Sequence, residues 1–166
     1  MGVIKLGFIS LVVFALLITG ISFFFPAHIR ISKAIDINAN KDSVLNQIKN
    51  AAHWKNWYPG ADTMALLVED GKATGLKLDS LRGAIRITNI TDSSVTAAIV
   101  GQGLRKATTG WNSYQSAAPN TITVQWYMDF HLRWYPWEKF SSLLFEKRYG
   151  PLMEKGLDNL KKMMEK

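Results

Sequence analysis

The chain contains no cysteine. That absence excludes a disulfide framework, a thiolate zinc site, an iron–sulfur cluster and a cysteine nucleophile. It leaves the redox compartment open, because a Cys-free chain is at home on either side of a membrane. Proline is sparse, 5 residues in 166, and no Pro/Gly/Ser-rich tract or internal repeat interrupts the chain. Acidic residues are in the minority, 13 against 20 Lys and Arg, for a formal net charge of +7. No run of four basic residues accompanies the excess. The densest spots are Arg105-Lys106, Lys147-Arg148 and Lys161-Lys162, each set among acids or apolar residues. A dedicated nucleic-acid surface is therefore not expected, and the basicity reads as solubility and attraction to anionic lipid headgroups.

Charge is missing altogether from Leu6 to Phe25. Twenty residues at 1.5 Å each span about 30 Å, the thickness of a bilayer's hydrocarbon core. Ser10, Thr19 and Ser22 can bond back to their own helix, and the cluster Phe23-Phe24-Phe25 before Pro26 suits the interfacial end of a span. A cleaved signal peptide has a shorter apolar region and small residues at its cleavage site. Here the run is long and phenylalanines occupy that place, so residues 1–28 are read as an uncleaved single-pass anchor, inserted through residues 6–25. Lys5 on one side and Arg30 and Lys33 on the other nearly cancel as orientation signals. The reading leans toward a domain facing away from the cytoplasm.

Residues 29–166 form one domain-sized unit. Ile29, Ile31, Lys33, Ile35 and Ile37 alternate with other side chains as in a strand. Asn40 offers an N-cap, and Val44, Leu45 and Ile48 make the apolar stripe of a short helix over about 41–51. The aromatic corner His53-Trp54-Lys55-Asn56-Trp57-Tyr58-Pro59-Gly60 follows. Strands are then expected over 64–69, 74–79, 84–91, 94–100 and 106–116. The strongest is 121–134, where Ile122, Val124, Trp126, Met128, Phe130, Leu132 and Trp134 alternate with seven polar or amphipathic residues, fixing one inward face. After Pro136 the period becomes helical, with Leu152, Met153, Gly156, Leu157, Leu160 and Met164 on one stripe and Pro151 at a start or a kink. The order predicts an α+β domain in which a curved antiparallel sheet wraps a long C-terminal helix.

Three stretches give the chain a family likeness: Ile35-Asp36-Ile37-Asn38-Ala39 leading to Val44, the corner Trp54-Lys55-Asn56-Trp57-Tyr58-Pro59, and Trp134-Tyr135-Pro136-Trp137-Glu138-Lys139-Phe140 running to Gly150-Pro151-Leu152-Met153. In these it resembles the START-like (SRPBCC) superfamily, the polyketide cyclase/dehydrase and lipid-transport group, in its membrane-anchored bacterial form. Asn40 stands where the family often has proline. The resemblance implies a helix-grip fold, seven strands gripping the last helix with an apolar cavity between them, and a lipid-like or other apolar small molecule as partner. Trp126, Met128 and Phe130 would line the cavity from the strand, and Leu152, Gly156 and Leu157 from the helix. Ordinary core packing explains the same alternation equally well. His53, Trp54 and Trp57 are candidates for the cavity mouth, with helix-terminus packing the alternative for His53.

Signals for chemistry are few. His28, His53 and His131 belong to no spaced ligand set, so no metal site is expected, and no cofactor. Asp129, His131 and Arg133 share the outward face of the last strand, where a general-base pair is conceivable and a solvated charge ladder is the plainer reading. Gly101-Gln102-Gly103 precedes no helix, and no Gly-x-Ser-x-Gly turn exists. Trp134, Tyr135 and Trp137 could seal one cavity end, touch the bilayer beside the anchor, or pack on the C-terminal helix. The clear inward face carries no ionisable group, so the sequence reads as a non-catalytic binding module. A cyclase- or hydrolase-type enzyme using the same cavity and an envelope protein with a filled core are the alternatives.

Overall fold

The computed structural model describes residues 2–78, 83–101 and 107–166. Residues 79–82 and 102–106 fall outside them, and with them the end of the second expected strand, most of the Gly-Gln-Gly fragment and the Arg105-Lys106 pair. The charge-free run lies in α1 (Gly2–Ser22) as far as Ser22, a helix long and apolar enough to cross a membrane and unburied over its apolar stretch, with Ser22 at its end buried. Strand β1 (His28–Ile37) follows, then α2 (Lys41–Lys49), whose Asn40 cap accepts a hydrogen bond from the Asp42 amide. A 3₁₀ turn (Ala51–Asn56) carries the aromatic corner.

Five strands succeed it: β2 (Leu66–Glu69), β3 (Lys72–Leu78), β4 (Gly83–Ile90), β5 (Ser94–Gly101) and β6 (Ala107–Gln115). Asp70 and Gly71, both at positive φ, turn β2 into β3, and Asn120 at φ 57° serves the turn into β7 (Ile122–His131). All seven strands join one antiparallel sheet in the order β1-β7-β6-β5-β4-β3-β2. The first strand thus closes on the last, in register from His28 opposite His131 to Ile37 opposite Ile122.

The alternation expected over 121–134 holds to Leu132, but the strand stops at His131. Leu132 is still buried while Trp134 is exposed, because the chain leaves the sheet there for Pro136. The C-terminal helical stretch is segmented into α3 (Pro136–Ser141), one 3₁₀ turn (Ser142–Leu144) and α4 (Phe145–Met164). Pro151 lies inside α4, where its missing N–H forfeits one intrahelical bond. Met153, Gly156, Leu157 and Leu160 of α4 are buried, and the helix packs chiefly against β1. This is the α+β helix-grip architecture.

A packed aromatic interior and a cleft beside it

Four tryptophans and a tyrosine occupy the space between sheet and helix. Trp54, Trp57, Trp111 and Trp126 are all at most 1% exposed, and Tyr58 is buried among them. Trp111 and Trp126 face each other across β6 and β7 with ring centroids 5.4 Å apart, and Trp54 approaches Trp111 at 5.1 Å. The corner is pinned by its own polar edges. Trp54 Nε1 donates to the Ile48 carbonyl at 2.8 Å, and Trp57 Nε1 to that of Gln47 at 3.2 Å. Asn159 of α4 reaches the Trp57 carbonyl at 3.2 Å. Burial pushes the Tyr58 phenol well above its ordinary range, so it stays neutral.

Trp126 Nε1 donates to Thr109 Oγ1 at 2.7 Å, and that hydroxyl donates on to the Tyr127 carbonyl. Trp111 Nε1 has no hydrogen-bond partner among the described residues, and neither has Gln47 Oε1. The residues expected to line a cavity are packed together here. Trp126, Met128, Phe130 and Leu157 are at most 3% exposed, and Leu152 is half-buried against the same core. At Gly156 a side chain's first carbon would stand 2.5 Å from Trp126 Cζ3 and 3.0 Å from Pro59 Cδ. The glycine leaves room for the Trp126 ring and for Pro59 against the helix.

A cleft of about 950 Å³ lies elsewhere, between the end of α2 and strands β2, β3 and β4. Leu66, Val68, Ala73, Ile87 and Ile90 contribute its apolar surface; Val68 and Ile90 are large side chains left about half exposed. Its polar groups come from Lys49, Lys72, Asn50, Asn89, Thr74 and Thr88. Among the described lining residues none is a carboxylate or an imidazole. The mouth candidates His53, Trp54 and Trp57 do not line it, although their neighbours Asn50 and Ala52 do. His53 Nδ1 lies 3.3 Å from the Asn46 carbonyl, a position at the helix terminus. Nothing in the spacing of residues 66–90 announced a cleft; it depends on where α2 ends relative to a bulge at Ile87–Asn89 in β4.

The outward ladder of β7 is solvated at His131 and Arg133 but not at Asp129. Asp129 is buried beneath a two-pronged pair with Arg30, Nε to Oδ1 at 2.7 Å and Nη2 to Oδ2 at 2.6 Å, with His28 Nε2 at 3.6 Å. The Arg30 guanidinium, donating to it, holds the Asp129 carboxyl below the usual carboxylate range. Arg133, past the strand's end, pairs with Glu138 instead. The carboxylate is thus committed to a cation and is not poised as a base.

The family model for polyketide cyclase/dehydrase and lipid transport matches residues 28–165. The chain belongs to that family. No match was found among curated protein sequences. Solved structures share the fold: a START superfamily protein from Mycobacterium smegmatis superposes with a TM-score of 0.61 at 14% identity, covering 82% of this chain and 97% of its own. A protein from Nitrosospira multiformis gives 0.64 at 11% identity, with 82% and 96% covered. The di-domain aromatase/cyclase StfQ of steffimycin biosynthesis gives 0.60 at 7% identity, with 84% of this chain and 51% of StfQ covered. At such identities the likeness is one of START-like fold, and the matched segment begins just after α1.

Proposed function

We propose that this family member is a membrane-tethered binding module taking a lipid-like molecule, with an apolar body and a polar or anionic end, in the cleft between α2 and β2–β4. One observation carries the reading: an exposed apolar surface in a concave site whose described lining residues carry charge only as the ammoniums of Lys49 and Lys72. Exposed apolar area in a concavity favours an apolar guest, and two cations at one site favour an anionic end. A proton-transfer enzyme would need a titratable base within reach of its substrate, and the cleft's described lining supplies neither carboxylate nor imidazole. Family membership supports a small-molecule-binding role in general. The apolar helix α1 supports the tether.

A second reading places the ligand in the interior, lined by Trp126, Met128, Phe130, Leu152, Gly156 and Leu157. The observation favouring it is the unmade hydrogen bond of the buried Trp111 Nε1, a donor that a guest's oxygen would satisfy. A photoactivatable fatty acid supplied to the full-length protein in lipid nanodiscs separates the two. Adducts within residues 49–90, reduced at least tenfold by Ile87→Trp and indifferent to Trp111→Phe, are expected for the cleft. Adducts on β7 and α4, reduced by Trp111→Phe, would move the site to the interior. Adducts on α1 alone would overturn both and leave an envelope protein with a filled core.

A further inference from the structure

A second exposed apolar surface lies far along the chain from the cleft. Trp134 and Trp137 are 62% and 65% exposed, and Leu143 and Leu144 are exposed to the same degree. Tyr135 stacks on Trp137 with centroids 4.7 Å apart, so the aromatics form one ledge. That ledge is fastened to the end of α1. Phe140 meets Phe25 edge-on at 5.3 Å, and Lys139, itself buried, donates to the Phe25 carbonyl at 3.0 Å. Trp137 and Leu144 lie three residues before and four after Phe140 along nearly continuous helical backbone, so they share the side of the segment that meets Phe25. Leu144 also shares a groove of about 460 Å³ with Lys147 and Arg148. Aromatic rings flanked by basic side chains, next to the end of an apolar helix, match the composition of a membrane–water interface.

We propose that the ledge of Trp134, Tyr135, Trp137, Leu143 and Leu144 is seated in the headgroup region of the bilayer that α1 crosses, holding the domain down on the membrane surface. This rests on the reading of α1 as a membrane span. The occupant is the bilayer because the ledge is continuous with the span's own end: Phe23 and Phe24, also exposed, lie two and one residues before the Phe25 contact.

The chain's tryptophans make the test selective. Of six, four are at most 1% exposed, α1 has none, and only Trp134 and Trp137 are open. The full-length protein is placed in phosphatidylcholine–phosphatidylglycerol vesicles in which acyl-brominated lipid replaces the ordinary kind. Bromine is expected to quench part of the emission, and W134F/W137F is expected to lose that quenchable part entirely while keeping the near-ultraviolet dichroism of the buried cluster. Both sites are exposed, so the variant keeps its core. Unquenched emission from protein that resists alkaline carbonate extraction would overturn the ledge and leave the tether standing. So would quenching that survives in W134F/W137F. A dimer abolished by W134F/W137F, with emission unquenched, would give the face to a second copy and overturn the proposal. Release by carbonate, or a membrane-derived chain beginning near Phe23, would overturn the tether and this inference with it.

Discussion

At position 156 the interior admits a hydrogen atom and nothing larger. A glycine in mid-helix costs up to about 1 kcal/mol against alanine, and it is tolerated here because Trp126 and Pro59 fill the space a side chain would need. Gly156→Leu is expected to overpack the core by about 1–3 kcal/mol, outweighing its better helix propensity. The urea midpoint of the detergent-solubilised protein, followed by tryptophan emission, should fall accordingly; an unchanged or raised midpoint would reveal room that the packing denies. Asp129 makes a different prediction. Its folded-state pKa is depressed by Arg30, so its contribution to stability is complete above the unfolded value near 3.8 and disappears as pH falls through the lower folded value. Asp129→Asn should destabilise the protein at neutral pH and make the loss of stability below about pH 4 shallower. Parallel acid titrations of the thermal midpoint would show it, and curves of equal steepness would refute it.

Among elements, β1 ties the sheet to the C-terminal helix, pairing with β7 and carrying α4. Its inward Lys33, in register with Trp126, extends over Gly150 to Glu146 at 2.7 Å and Glu154 at 2.9 Å on α4. A side chain at Gly150 would meet the Lys33 stem, which explains a second buried glycine on that helix. The two carboxylates, by hydrogen bonding, hold the Lys33 ammonium charged well above its ordinary range. Its stabilising contribution is therefore present below the ordinary lysine value of 10.5 and is lost only as pH rises through the higher folded one. The glutamates are exposed, so salt should screen this latch. Lys33→Met is expected to lower the midpoint at low ionic strength and to approach the parent at high salt. A salt-independent difference would mean that packing of the lysine stem, not charge, ties β1 to α4.

At the scale of the whole molecule, α1 and the sheet-and-helix domain are not independent. Ser22 at the end of α1 is buried, and Lys139 and Phe140 bind the chain just beyond it. A chain beginning at Ala27 keeps the sheet, α4 and the aromatic cluster, so it should be soluble and folded. It loses the acceptor for the buried Lys139 ammonium, and such a charged hydrogen bond contributes about 1.5–3 kcal/mol. The thermal midpoint should drop by a few degrees. An identical midpoint would show that the domain gains nothing from its contacts with the end of α1.

The element order, the inward face of β7 and the membrane-length helix were legible because each depends on periodicity or on hydropathy along one segment. Asn40 as a cap and residues 122–132 as a buried alternation needed no distant partner to be recognised. Three features needed one. Whether Trp126, Met128 and Phe130 face a cavity or a filled core depends on tryptophans 54, 57 and 111, contributed by other elements. Asp129 reads as a solvated charge until Arg30, 99 residues earlier in the chain, is laid across it by the pairing of the first strand with the last. The cleft exists only where α2, β2, β3 and β4 leave a gap, and a gap has no residues of its own. Local pattern fixes which side of a strand is apolar; volume and charge pairing are set between segments, so only the tertiary structure decides what that side meets.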